Sequence, residues 1–301
     1  MKRILKKLIP KNLLAARRNK MLAVQTVRAQ RRMEQVVACS DKYSLNREPR
    51  RQKVIVSLTS YPARFAGLEY VIGSILCQTC KPDEVILYLD DEVSQEKIPD
   101  PVRQLTQYGV QIEFRALNLK PHKKYYYAIK EHPDDLVITV DDDQLYPEDL
   151  IEKLLAGHKN FPECVVAARA HKIRFRRDGK IEKYNRWKSE YAKPGRPSLL
   201  LCATGVGGVL YPPACMNSDL LNNDLFMQLS PNADDLWLKV MQVLNRTPVV
   251  LCDAKLWKRT FELPESQQSA LNYQNVGNEQ NDVQMERLIS HYSLSEQDFC
   301  D

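Results

Sequence analysis

Between residues 54 and 168, short apolar runs alternate with stretches whose apolar residues return every three or four positions. VIVSL at 54–58 is a β-branched run that stops at TSYP, the pattern of a buried strand entering a turn. Leu68, Val71, Ile72, Ile75 and Leu76 then fall at helical spacing, and Lys81-Pro82 ends the run. The same reading predicts strands at 85–89, 110–114, 136–140 and 165–168. It predicts helices at 99–108, 122–131 and 147–158, with Pro147 suited to the first turn of the last. Strand and helix in strict alternation predict an α/β fold: a mostly parallel central sheet with helices on both faces. Ligands of such sheets bind outside the carboxyl ends of the strands.

Beyond residue 170 the pattern loosens. Residues 171–198 are rich in Arg, Lys and Tyr and read as a hairpin or long loop. LLLCATGVGGVLYPP joins an apolar run to a Gly-rich turn and a further strand. A helix is predicted at 232–244 with Asn232 as its cap, a short strand at 249–251 and a helix near 279–291. The polar stretch 40–53 reads as a linker. The predicted organisation is a basic extension at 1–53, a main domain at 54–260 and a tail with a helix at 261–301.

Charge sharpens that division. The net +6 combines +13 in residues 1–53 with −7 in residues 54–301. A basic arm on an acidic body argues against a nucleic-acid-binding core. Ile4, Leu5, Leu8, Ile9, Leu13 and Leu14 recur among basic residues. That texture suits peripheral contact with an anionic membrane, and equally a solvated tail or a helix packed on the body. No run of about 18 apolar residues predicts a spanning helix. The basic start lacks a clean apolar core, so a cleaved leader is not expected. The expected place is the cytoplasm, with membrane contact at its inner face. Eight Cys without a secretory signal are expected to be free thiols. Cys77 and Cys80 form a CxxC with no second pair to complete a zinc site.

The sharpest chemical signal is Asp141-Asp142-Asp143, which follows the apolar run LVITV. Three carboxylates at the end of a buried strand repel one another and are desolvated. A divalent cation removes that cost. In extended backbone Asp141 and Asp143 project to one side. Oxygen ligands without a nearby His or Cys pair favour Mg²⁺ or Mn²⁺.

The chain resembles bacterial glycosyltransferases of the GT-A (Rossmann-like) fold, family 2-like, of the surface polysaccharide type with a DxD motif. The residues that carry the resemblance are VIVSLTSYPARF at 54–65, HKKYYYAIKEHPDDLVITVDDDQLYPEDL at 122–150, TGVGGVLYPP at 204–213 and ADDLWL at 233–238. The resemblance implies a metal-dependent transferase that moves a sugar from a nucleotide-diphosphate sugar, UDP-linked, to a saccharide acceptor with inversion. It places Asp143 on the metal, Asp141 on the metal and the ribose side of the donor, and Asp142 among the donor-binding residues. Thr59, Ser60, Tyr61 and Arg64 would line the nucleotide, and Arg64 can meet a phosphate. Lys123 or Lys124, at a helix start, would attract the diphosphate. Gly207 and Gly208, with Gly205, would lie near the donor sugar and acceptor; a strand turn that requires Gly explains them equally. Asp234 and Asp235 open a helix, where acids also favour the dipole. One of them, Asp235 before Asp234, would be the base for the acceptor hydroxyl. No His stands clearly as a third metal ligand; His122, His171 and His291 are unsupported. Rival readings are a sugar nucleotidyltransferase, which wants a Gly-rich basic loop after the first strand, and a non-catalytic nucleotide- or metal-binding scaffold. Retention in place of inversion stays open.

Overall fold

The computed structural model describes residues 11–263 and 279–300. The chain opens with helix α1 (Lys11–Ala38) and enters the body at β1 (Val54–Thr59). Then come α2 (Leu68–Leu76), β2 (Glu84–Asp90), α3 (Asp100–Gln104), β3 (Val110–Arg115), α4 (Lys123–Glu131) and β4 (Leu136–Thr139). β5 (Gln144–Leu145), α5 (Leu150–Asn160), β6 (Val165–Ala167) and β7 (Ala170–Lys172) follow. The second half holds β8 (Leu201–Ala203), β9 (Val209–Tyr211), α6 (Asn223–Leu229), α7 (Asp234–Leu244), β10 (Val249–Leu251), β11 (Phe261–Glu262) and α8 (Gln280–His291).

Seven strands form the central sheet in the order β10-β6-β9-β4-β1-β2-β3. β1 runs parallel to β2 and β4, β2 to β3, and β10 to β6; β9 alone is antiparallel to its neighbours. The predicted mostly parallel sheet is therefore present. The pleat of β1 divides the core. Ile55 faces Tyr125, Tyr126 and Trp237, whereas Val54, Val56 and Leu58 face α2 and α5. The aromatic run Tyr125–Tyr127 packs between helix and sheet.

Helix α1 rests on the body along its second half. Ala29 and Val36 are buried, and Arg32 Nη2 donates to the Tyr146 carbonyl at 2.8 Å. The stretch 40–53 is docked rather than a free linker. The Tyr43 hydroxyl donates to the Val36 carbonyl at 3.0 Å, the Asn46 amide to the Pro82 carbonyl at 2.7 Å, and Arg50 pairs with Asp83 at 2.9 Å. Its few apolar residues and its polar groups find partners across the chain, which local pattern does not reveal. Ile4, Leu5, Leu8 and Ile9 lie outside the described residues, as does 264–278 of the predicted tail. No helix among the described residues is long and apolar enough to cross a membrane.

Two local expectations need correction. The helix predicted from Pro147 begins at Leu150; the Pro147 carbonyl instead accepts the Leu150 amide at 3.2 Å and Gln78 Nε2 at 2.7 Å. The chain before it forms β5, whose partner β11 lies more than a hundred residues away, Leu145 opposite Phe261. The helix predicted at 99–108 is α only to Gln104 and tightens to a 3₁₀ turn, closed by Gly109 at φ 91°. All eight cysteines are free thiols, and Cys77 is half-buried at the end of α2.

Candidate active site

The register of β1, β2 and β4 brings their carboxyl ends to one edge of the sheet. A cleft of about 1010 Å³ opens there. It gathers nearly every residue singled out from sequence: Thr59, Ser60, Tyr61 and Arg64 after β1, Lys123 and Lys124 at the start of α4, Asp141–Asp143 after β4, and Asp234 and Asp235 at the start of α7. These come from four separate segments, so the sheet, not local sequence, assembles them.

The acidic triplet does not continue the strand. β4 stops at Thr139, the chain turns at Asp142 and Asp143, and these two share Arg64 while Asp141 pairs with Lys124. Asp141 Oδ1 pairs with Lys124 Nζ at 2.7 Å, and its amide donates to the Tyr146 hydroxyl at 2.8 Å. Asp142 is buried and accepts from the Ser60 hydroxyl at 2.6 Å and from Arg64 at 3.2 Å. Asp143 accepts from Arg64 and from Gln144 Nε2. Burial pushes the Asp142 carboxyl up to about 7 against the pull of Arg64, with Asp143 adding repulsion. Burial likewise raises Asp143, again opposed by Arg64. Arg64 thus faces carboxylates rather than open space.

Lys124 is the hub of the site. Fully enclosed, its ammonium lies between Asp141 and Asp234, 3.0 Å from Asp234 Oδ2. Burial alone would lower its pKa; Asp141, Asp234 and Asp235 together hold it well above the usual lysine value. Lys123 is also buried and pairs with Asp90 at 2.6 Å. Both lysines line the cleft and are engaged by carboxylates of the protein. The β-sheet supplies the reason: the carboxyl end of β2 delivers Asp90 and the end of β4 delivers Asp141.

Asp235 sits across the cleft. Its carboxylate accepts from the Gly205 amide at 3.1 and 3.3 Å. Burial first, then repulsion from Asp234, pushes it up to about 8, while Lys124 pulls the other way. A carboxylate with that affinity for a proton is suited to general-base work near neutral pH. Such a group holds a proton in the folded protein that the unfolded chain releases above about pH 4, so it lowers stability as pH rises from there to about 8. The melting temperature of the wild type should therefore fall between pH 5 and 8 more steeply than that of Asp235→Asn, measured by scanning calorimetry at constant ionic strength. Parallel curves would contradict the assignment. The cap of α7 is Ala233, not the expected Asn232, whose amide instead donates to Gln284 Oε1 at 3.0 Å.

The Gly-rich loop touches the cleft through Thr204 and Val206, not through Gly207 and Gly208. Gly208 has φ 89°, and a Cβ at Gly207 would lie 2.9 Å from the Arg169 amide nitrogen, so both glycines answer to the turn itself. Gly205 is different. A Cβ there would lie 2.8 Å from Asp141 Oδ1 and 3.0 Å from Lys124 Nζ. Gly205→Ala should wedge that ion pair apart and cost about 1–3 kcal/mol in urea denaturation; an unchanged midpoint would show that the pair can shift freely.

The histidines stand apart from the triplet. His122 is buried, stacks on Phe226 at 4.2 Å and bonds Tyr125 and the Ser230 carbonyl; burial lowers it to about 4. His171 lines the cleft beside the Glu190 amide, and burial with Arg169 nearby also lowers it to about 4. His291 ends α8. Among the described residues no three His, Cys, Asp or Glu side chains converge as a metal-holding group.

Several lining residues escape sequence reasoning. Asp90 was findable, since it directly follows the predicted strand at 85–89. Arg169, Tyr184, Trp187 and Trp257 line the side near Asp235, and Gln25 and Thr26 of α1 close another wall. Nothing local marks those.

No curated protein matches the chain by sequence. Among solved structures, S. aureus TarS residues 1–349 is similar at 17% identity and a TM-score of 0.45, covering 66% of this chain and 58% of that one. The same protein in complex with UDP-GlcNAc gives 15% and 0.42, covering 66% and 56%. The chain thus spans less than two thirds of the length of these structures. The sequence model described as Glycosyl transferase family 2 matches residues 58–214, which run from β1 through the acidic triplet to the turn after β9. That span is just over half of the 301 residues, so the chain belongs to glycosyl transferase family 2.

Proposed function

We propose that the chain transfers a sugar from a nucleotide-diphosphate sugar, UDP-linked, to a hydroxyl of a saccharide acceptor in a bacterial surface polysaccharide, with inversion. The observation that carries this reading is the placement of Asp235. Its half-buried, proton-hungry carboxylate shares one cleft with the acidic triplet, beside the Asp234 that Lys124 joins to Asp141. Asp235 would take the acceptor proton as the hydroxyl attacks the anomeric carbon from the face opposite the departing diphosphate. Thr59, Ser60 and Tyr61, at the carboxyl end of β1, would border the nucleotide. Lys124 bridges Asp141 and Asp234, and the Gly205 amide holds Asp235 beside them.

Mg²⁺ or Mn²⁺ belongs to the same proposal. The donor set fits in kind: hard carboxylate oxygens, in a cleft where burial raises Asp142 and Asp143 despite Arg64. Two protein carboxylates, Asp143 and Asp141, would suffice, because such ions complete their shell with water and substrate phosphates. The ion would neutralise charge on the diphosphate. Residues 1–53 would add contact with an anionic membrane at its inner face. Lys20, Arg28 and Arg31 of α1 are exposed beside exposed Val24 and Val27.

The test is product analysis. Purified protein with UDP-, GDP- or CMP-linked sugars and Mn²⁺ should release nucleotide from one donor class, slowly to water and faster when a saccharide acceptor is added. Synthesis of a sugar nucleotide from a sugar phosphate would instead establish a nucleotidyltransferase. No turnover of any donor would leave a binding protein.

A further inference from the structure

The excursion between β7 and β8 carries a charge that the transfer reaction does not use. Residues 173–200 hold nine Lys/Arg against three Asp/Glu, +6, on a body whose remaining residues from 54 onward sum to −13. All nine basic residues are exposed. Six of them, Arg174, Arg177, Lys180, Lys188, Lys193 and Arg196, form no salt bridge among the described residues. The first part is a hairpin, with Phe175 opposite Ile181. Both pack inward against the core, so the alternate positions Arg174, Arg176 and Lys180 face out on one side.

The same excursion forms a wall of the active-site cleft. Tyr184, Asn185, Trp187 and Ser189 line it, with the rings of Tyr184 and Trp187 4.8 Å apart. At the floor of that wall Arg169 lies 5.2 Å over Trp257 and donates to Thr204 from Nη1 at 3.0 Å. Its Nε is buried without a hydrogen-bond partner among the described residues. A basic strip on the outside, an aromatic rim and a cationic side chain with an unused donor therefore succeed one another toward Asp235. Like charges are held together only at a cost, and an anionic partner removes it.

Resting on the proposed transfer reaction, we infer that the acceptor is an acidic glycan chain, bearing repeated phosphate or carboxylate groups, that lies along the 173–200 excursion and enters the cleft past Tyr184 and Trp187. The aromatic rings would take sugar faces, and the Arg and Lys residues the charges.

The test uses the full-length chain and four probes: inorganic polyphosphate, the carboxylate polysaccharide alginate, neutral dextran, and vesicles with anionic lipid. Binding is read by fluorescence anisotropy or co-sedimentation at 50 and 200 mM salt. The expected result is binding of one or both acidic polymers but not dextran, weakened about tenfold or more by the higher salt. The quadruple variant R174E/R177E/K180E/K188E should weaken it at least tenfold, while K20Q/R28Q/R31Q on α1 leaves it unchanged. Preference between the two polymers assigns phosphate or carboxylate. Equal binding of dextran, loss only in the α1 variant, or capture of vesicles without either polymer would each overturn the inference. Nucleotide binding, measured in parallel by thermal shift, should be the same in wild type and quadruple variant. Its absence from the wild type would count against the transfer reading, independently of the polymer result. Its loss in the variant alone would show a folding defect; neutral R174Q/R177Q/K180Q/K188Q then takes the variant's place, and undiminished polymer binding in it would overturn the inference.

Discussion

Asp235→Asn should leave the fold and nucleotide binding in place and lower sugar transfer by about 10²–10⁴-fold, the usual worth of a positioned base. The substitution keeps size and shape, and its amide oxygen can still accept the Gly205 amide that holds the native carboxylate at 3.1 Å. What it removes is proton affinity. Because burial and Asp234 raise that affinity to about 8, the wild type should show transfer rising with pH toward about 8. The rise should vanish from whatever activity the variant retains. Since Asp234 and Asp235 act on each other, the rise belongs to the pair. Asp234→Asn separates their roles. It removes the repulsion on Asp235 and one partner of Lys124, so it should shift the profile to lower pH rather than abolish transfer. If Asp234→Asn is the inactive variant and Asp235→Asn the active one, the two residues exchange roles. Steady-state rates from pH 5.5 to 9 with saturating donor decide this.

The second large effect is expected at Lys124. Methionine there keeps most of the volume and deletes the ammonium that bridges Asp141 and Asp234. Removing one partner of a buried ion pair costs about 3–5 kcal/mol, because the charge left behind stays desolvated. A fall in melting temperature on the order of 10 °C follows for a chain of this size. The loss should be partly recovered at low pH, where the orphaned carboxylates take up protons. Lys124 also pulls the Asp235 carboxyl down, so any transfer surviving in Lys124→Met should need a more alkaline medium than the wild type. Lys123→Met makes the control. It orphans Asp90 but leaves the Asp141–Lys124–Asp234 bridge, so its cost should appear in stability without that alkaline shift. Calorimetry at pH 5 and 8, with a pH–rate profile for each variant, measures both effects.

The alternation of elements from 54 to 168 was legible because each strand is a continuous β-branched run and each helix has one apolar face. Parallel central strands are buried on both sides and advertise themselves in this way. The acidic triplet was legible for a related reason: nothing apolar explains three charges in a row after LVITV. What the triplet does locally was not. Extended backbone was expected through Asp143, but the chain turns at Asp142 and Asp143, and the partners that set each carboxylate's direction come from the loop after β1, from α4 and from the neighbouring Gln144. Lys124 shows the same limit. Its position at a helix start marks it as a cation of the site, but its protein partners, Asp141 and Asp234, are supplied from the end of β4 and from α7 and have no local signal. The two-residue β5 and β11, paired across more than a hundred residues, are too short to carry a period. The docking of 40–53 depends on Pro82 and Asp83, which sequence cannot place beside it. Long-range partners, not local propensity, account for each miss.

The central claim is that the cleft at the carboxyl ends of β1, β2 and β4 holds a nucleotide diphosphate together with a divalent ion on Asp143. Thermal shift of the full chain with UDP, GDP or CMP, each with Mn²⁺ or with chelator, addresses it directly. A ligand that binds only the folded state stabilises by about 2.7 kcal/mol at a hundredfold excess over its dissociation constant, which is a rise of about 5 °C here. The account predicts such a rise for UDP with Mn²⁺, little with chelator, and none in Asp143→Ala. A rise that ignores both the chelator and the substitution would contradict the metal assignment, and no rise with any nucleotide would contradict the donor site itself.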